Sequence, residues 1–133
     1  MNKLRFAFII FIFSSFYAIG QSEAKEKMML FNEGKYTEVV DYFEKEYRDN
    51  PNFYETLRTC YIALKRYNDA EKLIAKQIKK THNAIYYIDL GYVFSLEKNT
   101  EKAEIQYQSA LEAIANNPAL AHQFSEKFSS YGL

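Results

Sequence analysis

The sequence contains few of the residues on which disulfide-rich and turn-rich proteins depend. Its 133 residues include one cysteine, two prolines and four glycines, and no tryptophan. A single cysteine excludes a disulfide framework within the chain. Scarce glycine and proline argue against a sheet protein with many tight turns. The composition therefore favours helices, with 12 tyrosines and 11 phenylalanines supplying the large core side chains.

Net charge is also absent. The 17 basic residues balance the 17 acidic ones, so no overall field attracts the chain to nucleic acid or to anionic lipid. We therefore expect no nucleic-acid partner. An apolar content of 48% is enough for one folded domain with a single core.

The N-terminal segment has the pattern of a secretory signal. Two basic residues precede an apolar run over residues 6–19, and small residues at Ala18 and Gly20 suit cleavage before Gln21. We predict a signal peptide over residues 1–20 and export, to the periplasm. The alternative is an uncleaved membrane anchor over residues 6–20, although about 15 helical residues span only about 22 Å of the roughly 30 Å hydrocarbon core. Membrane association is expected only in that case.

The remainder of the chain repeats itself at intervals of 31 to 34 residues, which is the first property to test in any sequence. Five pairs lie 33 residues apart: Asn50/Asn83, Tyr54/Tyr87, Leu57/Leu90, Tyr61/Phe94 and Ala70/Ala103. Three more lie 34 apart: Asn83/Asn117, Leu90/Phe124 and Phe94/Phe128. Tyr36/Tyr67 and Val39/Ala70 lie 31 apart.

Apolar residues within each repeat have helical spacing. One face would hold Tyr54, Leu57, Arg58 and Tyr61, and the next repeat has Tyr87, Leu90, Gly91 and Phe94 at the same spacing. Asn-Pro pairs at 50–51 and 117–118 indicate helix starts, and Asn68 with Glu71 has the spacing of a capping box. We predict an all-α fold with helices over 23–33, 37–49, 51–64, 68–80, 84–97, 100–116 and 118–131.

This arrangement resembles the tetratricopeptide repeat (TPR), a helix-turn-helix unit of about 34 residues. The best match, 84–118, has the aromatic, Leu-Gly and small-residue positions at Tyr87, Leu90, Gly91, Phe94 and Ala103. Arg58 and Val39 depart from the usual small residues. The resemblance implies a right-handed α-α superhelix, a TPR solenoid, over 21–133. Three helix-hairpin repeats (about 21–50, 51–83 and 84–117) would be followed by one further helix, a half repeat over 118–133.

The last segment has two interpretations. Leu120, Phe124, Phe128 and Tyr131 form the stripe of a first helix, and Gly132 aligns with Lys65, Lys98 and Gly34 at the turn between helices. The segment could cap the array by covering Ile105 and Leu111. We favour the other interpretation, in which the segment is the first half of a repeat whose second helix is missing from the sequence. The chain then resembles the N-terminal part of longer exported TPR proteins of Gram-negative bacteria.

No motif for catalysis, cofactor binding or a metal is present in the sequence. Cys60 lies on the inward side of its predicted helix and is expected to be a buried, inert thiol. His82 and His122 are expected at the surface or at helix caps. Lys76, Lys79 and Lys80 are expected to complement a helix dipole. We therefore predict a protein that is not an enzyme and needs no cofactor.

The expected function is protein or peptide binding through a groove lined by the first helices. Its predicted lining lies one place beyond each packing stripe: Asn52, Glu55, Thr59, Ile62, Ile85, Ile88, Tyr92 and Ser95. This leads to a non-enzymatic exported scaffold with an unidentified protein or peptide partner. The alternative is the sensing arm of a longer sensory or catalytic polypeptide whose active domain lies beyond residue 133.

Overall fold

A computed structural model describes residues 20–133, and all of the regular secondary structure in that range is helical. The first helix, α1, covers residues 20–32 of the described range. The others are α2 (Tyr36–Tyr47), α3 (Tyr54–Ala63), α4 (Tyr67–Thr81), α5 (Tyr86–Leu96), α6 (Thr100–Asn116) and α7 (Ala121–Ser130). Single 3₁₀ turns at Pro51–Phe53 and Pro118–Leu120 precede α3 and α7. The predicted all-α class is confirmed. The predicted signal peptide, apart from Gly20, lies outside the described residues.

The helix starts differ from prediction where capping was the guide. α4 begins at Tyr67, so its N-cap is Arg66, and the predicted capping box of Asn68 with Glu71 does not form. Arg66 instead donates from Nε to Asp69 Oδ2 at 2.8 Å. A capping side chain does act at α6, where Asn99 Oδ1 accepts a hydrogen bond from the backbone N–H of Lys102 at 3.1 Å.

Four helices, α1, α3, α5 and α7, end in the same backbone turn. Its left-handed residues are Gly34 (φ 78°), Lys65 (φ 56°), Lys98 (φ 62°) and Gly132 (φ 72°). In each case the backbone N–H of the following residue donates a hydrogen bond to the carbonyl oxygen five residues before it. The N···O distances range from 2.8 Å for Arg66 to 3.1 Å for Leu133. This is a Schellman motif. The alignment of Gly132 with Lys65, Lys98 and Gly34 is thus confirmed, and the chain has a repeating helical character.

The chain divides into two compact units, Met1–Pro51 and Asn52–Leu133. In the described part of the first unit, Val39, Val40 and Phe43 of α2 are buried. The Phe31 ring meets the Phe43 ring edge-on, with 6.0 Å between centroids. The first unit therefore has its own apolar contacts between α1 and α2.

In the second unit, α5 approaches α6 closely. A Cβ added to Gly91 would overlap the ring of Tyr107, so only glycine fits at this point without a shift of the tyrosine ring. Two alanines of α6, Ala103 and Ala110, are buried. The Leu-Gly position of the repeat therefore serves a tight helix crossing.

Helix α7 covers one side of α5 and α6. Its Phe124 is fully buried with Ile85, Ile88 and Ala110, and Leu120 and Phe128 pack around them. The apolar stripe predicted for this segment is confirmed. The less favoured alternative, in which this segment covers Ile105 and Leu111, is wrong, because these side chains remain 55% and 47% exposed.

Candidate functional site

The eight residues of the predicted groove do not share one surface. Asn52 and Glu55 are exposed, and Thr59, Ile62, Tyr92 and Ser95 are half-buried. Ile85 and Ile88 belong to the core beneath α7. The placement of Ile88 in an open groove is wrong, because α7 packs over it and leaves it fully buried.

Asp89 is the charged centre of the second unit. Its side chain is fully buried in α5. Asp89 Oδ2 accepts hydrogen bonds from the Tyr54 hydroxyl and from Arg58 Nη1, each at 2.9 Å. Two residues of α3 therefore bind one oxygen of this carboxylate.

The other oxygen of Asp89 is bound from α7. Lys127 Nζ lies 2.9 Å from Oδ1, and the Tyr131 hydroxyl donates to the same atom. One carboxylate thus joins α3, α5 and the end of α7. Burial of a charge is tolerated only when it is paired and hydrogen-bonded, and all four donors meet that need.

A second carboxylate balances the two cations at the surface. Glu55 Oε2 lies 2.5 Å from Arg58 Nη2, and Glu55 Oε1 lies 3.4 Å from Lys127 Nζ. The Glu55 side chain is 58% exposed, whereas those of Arg58 and Lys127 are 10% and 14% exposed. The buried Asp89 and the accessible Glu55 therefore neutralise the two cations from opposite sides.

Aromatic rings enclose the Arg58 guanidinium. Its Cζ lies 5.5 Å from the Tyr54 ring centroid and 5.7 Å from that of Tyr131, within cation–π range. The Tyr131 ring also stacks on Tyr92 with 4.0 Å between centroids. Tyr92 is therefore occupied in holding α7 against α5.

This environment shifts the pKa values of its members. Burial, and then the Asp89 charge, raise the pKa of both Tyr54 and Tyr131 well above the ordinary range, so both hydroxyls remain donors. Burial lowers the pKa of Arg58, but the negative charges around it, Asp89 foremost, outweigh that effect and raise the pKa overall. Arg58 therefore remains charged, and Tyr54 and Tyr131 remain neutral, at physiological pH.

A surface cleft of about 410 Å³ lies directly over these groups. It is lined by Glu55, Arg58, Ile85, Gln123, Glu126, Lys127 and Ser130; we call this the Glu55 cleft. Only Glu55 and Ile85 belong to the groove predicted from sequence. In the described residues, the Nε atom of Arg58 is buried without a hydrogen-bond partner. The cleft therefore presents polar side chains held in fixed positions.

We compared the chain with known proteins and structures. No family model, curated protein or solved structure gives a significant match to the chain. The function of the site must therefore be argued from its own residues.

Cys60 and the two histidines are not among the residues that line the cleft. Cys60 is fully buried in α3, and burial raises the pKa of its thiol to about 11, as expected for an unreactive cysteine. His82 is the exposed C-cap of α4, and His122 Nε2 lies 3.5 Å from Glu126 Oε1. In residues 20–133, no three His, Cys, Asp or Glu side chains form a possible metal site. None of the helices in that range has both the length and the apolar character required to cross a bilayer.

Two sequence signals could have located the network. Asp89 is the only charged residue in the α5 sequence YYIDLGYVFSL. Arg58 stands on an apolar stripe, at the position that Gly91 occupies 33 residues later. Opposite charges on two neighbouring apolar helices indicate a buried pair. The groove lining was predicted from positions along single helices, so it did not take such a pair into account.

Proposed function

We propose that this protein is a non-enzymatic scaffold of the tetratricopeptide type that binds a peptide or protein segment at the Glu55 cleft. The partner would contact exposed side chains of α3 and α7 above a rigid charged base. The proposal includes export after removal of residues 1–20. The right-handed superhelix expected from the resemblance stays a prediction.

The observation that carries the proposal is the cleft over the Asp89 network. Arg58 and Lys127 are held by two carboxylates each, so their positions are set before any partner arrives. Preorganised polar groups lose little conformational entropy on binding. The repeated helix ends and the tight α5–α6 crossing support the tetratricopeptide assignment.

The lining favours a polar segment over an apolar one. Gln123, Glu126 and Ser130 lie exposed on the α7 side of the cleft. Glu55, on the α3 side, is also exposed and can accept hydrogen bonds. A segment offering both acceptors and donors fits this lining, and a purely hydrophobic segment would leave these groups unpaired.

Peptide display against the purified protein tests the site. Peptides selected by the wild type should lose affinity for a Gln123→Ala/Glu126→Lys variant, because both side chains line the cleft and are exposed. Asp41→Lys on α2 makes a comparable charge change at another exposed position and should bind as the wild type does. Selected peptides that bind all three proteins equally would refute the cleft.

Export has a separate test. N-terminal sequencing of the secreted or periplasmic protein should find Gln21 first. A start at Met1 would refute removal of residues 1–20.

A further inference from the structure

The outer face of α6 exposes apolar side chains outside the Glu55 cleft. Ile105 is 55% exposed and Leu111 is 47% exposed. In the described chain, only Met29 and Leu133 join them as large, strongly exposed apolar residues. Scattered exposure of this kind is ordinary, so the surroundings of these residues decide whether the face has a role.

Ile105 lies in a groove with the geometry of helix packing. A surface groove of about 470 Å³ runs along α6, lined by Glu101, Glu104, Ile105, Gln108, Ser109 and Glu112. These residues form two rows in which neighbours are four residues apart. One row contains Glu101, Ile105 and Ser109, and the other contains Glu104, Gln108 and Glu112. Rows with this spacing are the ridges between which a second helix inserts its own side chains. The shape therefore fits a helix.

The charge of the groove restricts which helix fits. Three carboxylates surround the apolar centre, and in residues 20–133 none of the three takes part in an ion pair. The one basic residue of α6, Lys102, places its Nζ 5.3 Å above the Phe94 ring. A helix with cations on either side of an apolar side chain would complement this pattern.

We propose that the outer face of α6 binds a basic amphipathic helix of another protein. An apolar side chain of that helix would cover Ile105, and Lys or Arg residues one turn away would meet Glu101, Glu104 and Glu112. Leu111, three residues beyond Gln108, would extend the apolar contact. This site shares no residue with the Glu55 cleft, so either proposal can fail alone.

A second copy of the chain fits the groove less well. Two α6 faces would place carboxylates against each other, which is unfavourable. The exposed lysines of α4, including Lys72 and Lys79, have the right charge, but α4 has no large apolar side chain among the strongly exposed ones in the described chain. The occupant therefore needs an apolar anchor that α4 lacks.

A synthetic helix provides the probe. We would use a labelled alanine-based peptide of about 18 residues, long enough to be helical in isolation. It carries one leucine with a lysine four residues to either side, and the control peptide replaces the lysines by glutamates. Fluorescence anisotropy with the full-length protein should show binding of the lysine peptide only, weakening as salt is added.

Variants then locate the contact. Glu104→Lys/Glu112→Lys and Ile105→Ala should each weaken binding of the lysine peptide by about tenfold or more, while Asp41→Lys should not. No binding by the wild type, or equal binding by the Glu104→Lys/Glu112→Lys variant, would overturn the proposal. Sedimentation that showed wild-type self-association, abolished by the same charge reversal, would assign the face to a second copy and also overturn it.

Discussion

At the residue scale, two glycines and two lysines adopt the same left-handed conformation. Gly34 and Gly132 have no Cβ and occupy it readily. Lys65 and Lys98 occupy it with φ values of 56° and 62°, although a Cβ disfavours this region by roughly 1–2 kcal/mol. The position within the repeat, rather than the identity of the residue, therefore sets the backbone.

This difference predicts that Lys65→Gly and Lys98→Gly each stabilise the protein. Relief of the Cβ clash exceeds the greater chain entropy of glycine in the unfolded state, and we expect a net gain of about 0.5–1 kcal/mol. Urea unfolding followed by circular dichroism measures the change. Lys72→Gly, inside α4, is the matched control and should destabilise by about 1 kcal/mol. A loss of stability at both turn positions would contradict the prediction.

At the element scale, three helices depend on one carboxylate. Asp89→Asn would leave Arg58 and Lys127 largely buried beside a single remaining counter-charge, Glu55. Removing one partner from a buried ion pair typically costs about 3–5 kcal/mol, and we expect a loss of that order in the free energy of unfolding. Guanidinium chloride or urea titration gives the value.

A second substitution separates charge from packing. Asp89→Asn/Lys127→Met removes one of the two cations that would otherwise share Glu55, while keeping an unbranched side chain of similar length. It should be less destabilised than Asp89→Asn alone. If both variants lost the same stability, or if Asp89→Asn lost none, the electrostatic account of the network would be wrong.

The α5–α6 crossing gives another prediction at this scale. Gly91→Ala should destabilise the protein by about 1–3 kcal/mol, because the new methyl group would overlap the Tyr107 ring. The thermal midpoint reports the loss. Adding Tyr107→Ala should make the Gly91→Ala change nearly harmless. A Gly91→Ala protein as stable as the wild type would show that the ring moves aside freely.

Helical periodicity predicted which residues share a face but not which faces become covered. The stripe of Tyr54, Leu57, Arg58 and Tyr61 is buried as expected, because apolar side chains recur once per turn. Ile88 was assigned to a groove because its position was judged along α5 alone. Its burial depends on where α7 packs, and that is a tertiary property which a single helical pattern does not contain.

At the scale of the whole molecule, the net charge is zero although acidic and basic side chains lie on different helix surfaces. Zero net charge gave no reason to expect a charged binding surface. The structure nevertheless places three carboxylates on the outer face of α6, and α4 carries exposed lysines. Composition counts charges without their positions, so it bears on long-range attraction and not on local recognition.

Folding stability should depend on pH through one carboxyl pair between α4 and the end of α5. Burial, a hydrogen bond to Glu97 and repulsion by the Glu97 charge raise the pKa of Glu71 to about 7, while Lys102 acts in the opposite direction. A pKa above the ordinary 4.5 means that the native state binds this proton more tightly than the unfolded state does. The resulting stabilisation is complete below that ordinary value and is lost as the pH rises through about 7.

We therefore expect the free energy of unfolding to fall as the pH is raised from about 5 to about 8. Glu71→Gln cannot ionise, so it should flatten this dependence and be more stable than the wild type at the alkaline end. Glu112→Gln, an exposed glutamate of α6, should keep the wild-type slope. Urea titrations at several pH values compare the three proteins. Parallel pH profiles for the wild type and Glu71→Gln would mean that the Glu71–Glu97 pair does not hold a proton in the native state.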